Sequence, residues 1–194
     1  MKSEQVEQVA RWLDSLGIRH VVVGGSAIEH PVPVGTGDVN VLVAVGDWEA
    51  IDRALENRAD AIPLEPYTGT IRSTKLHLGT ETVDLEFISG QPFSGNLAGD
   101  DFLDYVRTYR ATKTRGVRYA TPPVVWYMRL SVDDQWQQYV WKINRDIKAG
   151  VPASTLESVM EIADHFGVGP RIRERIEFTR KTLRLYEAPR RVPE

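Results

Sequence analysis

Two short motifs near the amino terminus combine residue types that bind phosphate and metal. Gly24-Gly25-Ser26 follows a run of three valines, and Asp38 and Asn40 begin a second apolar run. A glycine-rich turn after a buried strand leaves backbone N–H groups free to bind an anion, and a helix that follows adds its dipole. Residues two apart on a strand share a face, so the oxygens of Asp38 and Asn40 point the same way. The spacing predicts a phosphate-binding turn beside a strand that offers oxygen ligands.

A later stretch adds two carboxylates to a strand. In residues 82–88, apolar side chains alternate with Asp84 and Glu86. A buried charge must be paired or bound to metal, because an unpaired one is costly. Mg²⁺ takes oxygen ligands and usually lies between one or two carboxylates and substrate phosphates. We therefore expect Mg²⁺ or Mn²⁺ as cofactor, with the ligands Asp38, Asn40, Asp84 and Glu86. The alternative for Glu86 is a solvated strand end, or an ion pair with Lys75 on the neighbouring strand.

The spacing of apolar residues and the positions of glycine and proline predict the helices and strands that must position these residues. The pattern predicts the order α-β-α-β-α-β-β, then a hairpin and helices. Gly17 is expected to end the first helix as a left-handed cap, and Asp47 to begin a later one. Residues 70–79 and 83–88 read as strands joined by a short hairpin connection. Thr121 begins a helical half in which glycine- and proline-containing turns separate three further helices.

These motifs together resemble the nucleotidyltransferase superfamily, which has the DNA polymerase β-like fold. Within it, the chain is similar to the small bacterial enzymes of the abortive-infection and toxin–antitoxin type. Family members have a helix, a strand, a Gly-Gly or Gly-Ser turn, a spacer of about nine to thirteen residues, a strand with two acidic ligands, and a later third carboxylate. This chain offers the glycine turn, the spacer 27–37, Asp38-x-Asn40 and Asp84. Helices expected near 121–130 and 142–146 extend the resemblance to roughly residues 5–165.

The resemblance implies a fold and an activity. The fold class would be α+β, a mixed sheet flanked by helices, with a nucleotidyltransferase-like core in residues 1–120 and a helical annex in residues 121–194. The activity would be Mg²⁺-dependent transfer of a nucleoside monophosphate from an NTP to a hydroxyl of RNA, protein or a small molecule. Asp38 and Asp84 would be catalytic. The implied nucleotide-binding residues are Gly24, Gly25, Ser26, Thr36 and Lys75.

Three positions depart from the family pattern. Asn40 supplies a neutral oxygen where a second acid is usual, which weakens the attraction for a divalent cation. Val34 replaces a basic residue that often precedes the threonine at position 36. Pro31 and Pro33 shorten any helix after the glycine turn, because proline disrupts a helix interior. A second hypothesis is therefore a degenerate protein that binds nucleotide or RNA without turnover.

Charge is distributed unevenly along the chain. Residues 171–194 hold eight Lys or Arg against four Glu, a net charge of +4, so the net charge of −3 for the whole chain leaves −7 for the first 170 residues. A third hypothesis is an interaction-only toxin or antitoxin component, whose basic C-terminal helix contacts a protein partner. A second basic stretch, interleaved with tyrosines, either binds a triphosphate or RNA backbone or forms a solvated hairpin. Its basic residues are Arg107, Arg110, Lys113, Arg115 and Arg118.

Composition limits the protein class. With no cysteine, the 194-residue chain has no disulfide framework and no thiolate metal site. No apolar run approaches the roughly twenty residues that a membrane helix needs, and no secretory leader is evident. We therefore expect a cytoplasmic protein with no membrane partner. Its 42% hydrophobic content suffices for one substantial core plus the helical annex.

Overall fold

Seven strands in the described part of the chain form one mixed sheet. The computed structural model describes residues 2–28, 38–56, 65–68, 71–78, 81–89, 100–132 and 136–187. The strands are β1 (His20–Val23), β2 (Asp38–Val43), β3 (Glu65–Thr68), β4 (Ile71–Leu78), β5 (Glu81–Ser89), β6 (Ala111–Thr114) and β7 (Val117–Ala120). Their order across the sheet is β3-β4-β5-β2-β1-β7-β6. The β2–β5 and β1–β7 pairs are parallel, and the other neighbours are antiparallel.

Helices cover both faces of this sheet. They are α1 (Lys2–Ser15), α2 (Trp48–Glu56), α3 (Asp101–Tyr109), α4 (Pro122–Ser131), α5 (Val140–Lys148), α6 (Thr155–His165) and α7 (Gly169–Glu187). The sheet face that carries Val39 and Leu85 packs on α1 and α2. The opposite face, with Leu42 and Ile88, packs on α3 to α7. This mixed sheet with helices on both faces confirms the predicted α+β class. No helix among the described residues combines the length and apolarity that crossing a bilayer requires.

Local signals placed several elements correctly. Gly17 has a φ of +73°, as a left-handed cap requires. Helix α2 begins directly after Asp47, and α4 begins at Pro122. The hairpin between β4 and β5 has the antiparallel register Leu78 with Glu81. Three further helices follow α4, also as expected.

Two elements, helix α3 and strand β3, were not predicted. The glycine turn itself is a single 3₁₀ turn over Gly24–Ala27. The α-helix expected after this turn would occupy the spacer 27–37, most of which is not described. Residues 29–37 lie outside the described residues. Strand β3 was not predicted, because Pro66 reads as a loop signal. A proline cannot donate to a central ladder, and β3 accommodates it by forming the edge of the sheet.

The expected division at residues 120 and 121 lies between β7 and α4. One hydrophobic cluster contains both Val23 of the sheet and Val124 of α4, so the two parts share a core. Whether residues 1–120 and 121–194 are separate units stays a prediction.

Candidate active site

The pairing of β2 with β5 brings the predicted oxygen donors together. Asp38 lies beside Asp84, and Asn40 lies beside Glu86. Register partners project their side chains from the same face, and neighbouring strands are about 4.8 Å apart. Two motifs that are far apart in sequence thus form one acidic patch. This patch lies where β2 and β5 begin and where β1 ends in the glycine turn.

A cleft of about 250 Å³ separates the acidic patch from the helices. Asp38 and Glu86 line one side of the cleft, which we call the acidic wall. Arg129 of α4 with Lys142 and Arg145 of α5 line the other side, which we call the basic wall. The arrangement presents oxygen ligands and cations to the same ligand from two sides. Such a cleft suits a phosphate ester that carries a metal ion.

The predicted residues are not all in the cleft. Gly24, Gly25 and Asn40 line it together with the acidic wall. Asp84 and Lys75 are register partners of each other and are exposed beside the cleft, outside its described lining. Register therefore pairs Lys75 with Asp84 and not with Glu86.

The remaining two predicted nucleotide-binding residues have different positions. The Ser26 hydroxyl donates a hydrogen bond to the backbone carbonyl of Asp38 over 3.2 Å, which ties the glycine turn to the start of β2. Ser26 is not among the described residues that line the cleft. Thr36 lies outside the described residues.

Glu86 is a half-buried carboxylate in an unfavourable electrostatic environment. Burial raises its pKa, Asp38 and Asp84 raise it further, and Lys142 opposes them. Across the cleft, burial lowers the pKa of Lys142, and Arg129 acts in the same direction. Each wall is thus destabilised by its own like charges. A ligand that brings both a cation and an anion would relieve both walls.

The pKa of Glu86 predicts an effect on stability. The folded protein binds the Glu86 proton more tightly than the unfolded chain does, so protonation of Glu86 stabilises the fold. This contribution to the free energy of unfolding is fully present below the ordinary glutamate pKa. It is lost as pH rises through the raised pKa of the folded state. Glu86→Gln should therefore raise the Tm at pH 8, by about 2–4 °C for each kcal/mol gained, and leave it unchanged at pH 4. Thermal unfolding at both pH values measures this difference. The exposed Glu157→Gln serves as control, and an equal Tm shift at both pH values would contradict the prediction.

Gly24 allows the close approach of the turn to β2. Its φ is +67°, and a Cβ built on it would lie 3.0 Å from Nδ2 of Asn40. Any larger residue would be strained by the backbone and would press on Asn40. The glycine thus lets the turn lie directly against the Asn40 amide at the edge of the cleft.

The basic wall depends on one buried carboxylate beneath it. Asp146 is 0% exposed and forms an ion pair with Arg129, which is 7% exposed. The Trp126 indole donates to the same Asp146 carboxylate over 3.0 Å, and Arg145 lies 3.5 Å from its other oxygen. The Arg129–Asp146 pair therefore joins α4 to α5, and Arg145 contacts the same carboxylate from within α5.

Sequence reasoning did not identify the three residues of the basic wall. Arg129 lies in a helix that is otherwise buried and apolar, and a lone arginine in such a helix is the available signal. Lys142 and Arg145 are three residues apart and share one helix face. This pattern is also typical of a solvated face, so it does not indicate a site by itself.

The oxygen donors of the cleft are too few to bind a metal ion without further ligands from a substrate. Within the described residues, no group of three or more His, Asp or Glu side chains forms a metal-binding cluster. Mg²⁺ is commonly bound by one or two carboxylates plus substrate phosphates, and dedicated protein cages are unusual for it. Asp38 and Glu86, with the neutral Asn40, are suited to that shared mode of binding.

Comparison with known proteins gives a limited picture. The chain matches no protein-family profile and no curated protein. A similar solved structure is the antibiotic-resistance factor ANT(2'')-Ia, with 14% identity, a TM-score of 0.43, and coverage of 96% of this chain and 97% of that chain. Another, from H. pylori, is described as a candidate nucleotidyltransferase, with 11% identity, a TM-score of 0.42 and coverage of 96% of each chain.

A third similar structure, from Thermotoga maritima, is described in the same way. Its identity is 16%, its TM-score is 0.35, and the alignment covers 82% of this chain and 94% of that chain. At these identities and TM-scores, a likeness does not assign a function. The functional conclusion therefore depends on the geometry of the cleft.

Proposed function

We propose that the protein is a nucleotidyltransferase that moves a nucleoside monophosphate from an NTP to a hydroxyl acceptor. The observation that supports this most directly is the pair of opposed acidic and basic walls across one cleft, with the diglycine turn between them. An NTP bound with a divalent cation has the matching distribution of charge. An uncharged ligand would not compensate the charges of either wall.

The basic wall would bind the phosphates that leave. Lys142 and Arg145 line the cleft and would contact the β- and γ-phosphates, and the backbone N–H groups of Gly24-Gly25 would donate to the same groups. Negative charge grows on the leaving pyrophosphate in the transition state, and fixed cations stabilise it most where water is excluded. When bound, Mg²⁺ or Mn²⁺ supplies further neutralisation of the phosphate charge, and Asp38, Asn40 and Glu86 are the residues that would hold it.

The acidic wall would also activate the acceptor. In the proposed step, a carboxylate takes the proton of the acceptor hydroxyl, the hydroxyl oxygen bonds to the α-phosphorus, and the bond to pyrophosphate breaks. Asp84 was expected to be this base, but it is exposed beside the cleft. Glu86 lines the cleft, where the acceptor hydroxyl would lie, so it is the better candidate for this step. We therefore assign the base role to Glu86 and a supporting electrostatic role to Asp84.

The identity of Asn40 favours a second candidate, a protein that binds the nucleotide without turnover. An amide oxygen carries no net charge, so the described cleft lacks one of the acids that a two-metal site uses. Asn40→Asp tests this alternative. If the natural chain is degenerate, the variant should gain NTP-dependent labelling of an acceptor by about tenfold or more.

An active natural chain gives the opposite result. Wild type would then label the acceptor in the presence of Mg²⁺ or Mn²⁺, and Asn40→Asp would change the rate by less than about tenfold. Labelling with each radioactive NTP, on bulk RNA and on small-molecule acceptors, measures both cases. The control Asn144→Asp makes the same chemical change at a partly buried position outside the cleft lining.

Several side chains of the basic stretch make internal contacts, which argues against RNA binding there. Arg110 pairs with Glu161 at 2.8 Å, and Arg115 lies 3.7 Å from Glu7. Tyr105 stacks on His165 with ring centroids 4.5 Å apart, so it is not free to stack on a base. A small-molecule or protein hydroxyl is therefore the acceptor that we favour. A toxin–antitoxin role, a protein partner and a cytoplasmic location remain proposals that follow from the family resemblance.

A further inference from the structure

A second cavity lies at the other end of β1, remote from the cleft. It has a volume of about 170 Å³ and shares no lining residue with the cleft. Its charged and ionisable lining consists of three arginines with His20 and Asp14. We call it the arginine cavity, after Arg19, Arg107 and Arg118.

The fold brings these arginines together from three elements. Arg19 immediately precedes β1, and Arg107 is in the last turn of α3. Arg118 is on β7, directly after a tight turn in which Arg115 and Gly116 have φ values of +49° and +86°. Positive φ at both central residues is typical of the turn that suits a two-residue hairpin. The hairpin geometry therefore sets the position of Arg118 beside the cavity.

Two of the three arginines lack a compensating carboxylate. Arg19 lies 2.6 Å from Asp104 and 3.3 Å from Asp100, so its charge is neutralised. Within the part of the chain that the structure describes, neither Arg107 nor Arg118 has a carboxylate oxygen within 4.0 Å. Nη1 of Arg107 is buried and has no hydrogen-bond partner among the described residues. A buried donor left unpaired is costly, so an acceptor at this position would be stabilising.

Burial and neighbouring cations both disfavour the charge of Arg107. Burial lowers the pKa of Arg107, Arg118 and Arg19 lower it further, and Asp104 and Asp14 act in the opposite direction. Burial likewise lowers the pKa of His20, whose Nδ1 lies 3.1 Å from the carbonyl of Ile18. Asp14 is the one acid in the described lining, and it lies 3.9 Å from His20.

We propose that the arginine cavity binds a small tetrahedral oxyanion of the phosphate class. Arginine guanidinium groups bind phosphate through paired N–H donors, and Arg107 and Arg118 have such donors to offer. At about 170 Å³ the cavity is smaller than the 250 Å³ cleft, so a free phosphate fits it better than a whole nucleotide does. This site is independent of the proposed nucleotidyl transfer, because it uses none of the same residues.

Calorimetry with inorganic phosphate at constant ionic strength tests the proposal. Wild type should bind phosphate, and Arg107→Gln and Arg118→Gln should each weaken binding by at least tenfold. Arg173→Gln, on the exposed face of α7, removes the same charge elsewhere and should leave the affinity unchanged. Because the basic wall of the cleft can also bind phosphate, the titration is repeated in the Lys142→Gln background, where phosphate binding should persist and Arg107→Gln should still weaken it by at least tenfold.

Other results would overturn the proposal. Absence of phosphate binding to wild type would do so, as would binding that Lys142→Gln abolishes and Arg107→Gln does not. Circular dichroism checks that each variant is folded. Arg107→Lys keeps the charge but loses the planar pair of donors, so it should fold and still bind phosphate more weakly than wild type. Unchanged affinity in that variant and in Arg118→Gln would exclude the arginines as ligands.

Discussion

Replacing Asp38 with alanine should lower NTP-dependent labelling by at least about a thousandfold, which corresponds to roughly 4 kcal/mol of transition-state stabilisation. Asp38 is the acid that lines the cleft, begins β2 and lies beside Asp84 in the register. Its neighbour Asn40 is neutral and cannot replace the lost charge. Steady-state labelling with each NTP in Mg²⁺ or Mn²⁺ measures the loss.

The exposed Asp101→Ala is the matched control for this variant. It removes an acid of the same type from the first turn of α3 and should retain the wild-type rate. If Asp38→Ala labels the acceptor as fast as wild type, the acidic wall is not the catalytic site. Nucleotide binding by that variant is measured separately, because a binding-only protein would lose affinity without any change in turnover.

Replacing Asp146 with alanine should lower the free energy of unfolding by about 3–5 kcal/mol. The substitution leaves the buried Arg129 guanidinium without its carboxylate and the Trp126 indole N–H without that acceptor. For a domain of this size, such a loss lowers the Tm by about 6–20 °C. Thermal and urea unfolding followed by circular dichroism measure both quantities.

A double variant provides the control for Asp146. In Arg129→Met with Asp146→Leu, neither charge remains in the core, so much of the stability should return. If Asp146→Ala is as stable as the double variant, leaving the Arg129 charge unpaired in the core does not have the expected cost.

The sequence predicted that side chains alternate between the two faces of β2 and β5, and the structure shows this alternation. Val39 and Leu85 are buried on one face, and the acids project from the other. The period of a strand fixes which residues share a face, but it does not say which strands are neighbours. That β2 and β5 pair in parallel, with Asp38 next to Asp84, is a property of the sheet topology.

The basic wall was not predictable for a different reason. Arg129 is recruited to the cleft by Asp146, seventeen residues further along the chain, and this pairing depends on how α4 packs on α5. In the basic stretch between Arg107 and Arg118, the sequence suggested more than the structure has, because a run of positive charges predicts one continuous basic surface. Glu7 and Glu161 neutralise two of those charges from distant parts of the sequence. Local composition therefore identified the sheet side of the cleft and not the helical side.

The origin of the two walls in separate parts of the chain has an evolutionary consequence. The oxygen-bearing side chains of the cleft belong to strands that are packed against a core on both faces, so few substitutions there would be tolerated. The cations that line the cleft belong to helices, Arg129 to α4 and Lys142 and Arg145 to α5. Under the proposed function, exchanges on these helices would change which donor or acceptor binds, and the strands would keep the residues proposed to carry out the reaction.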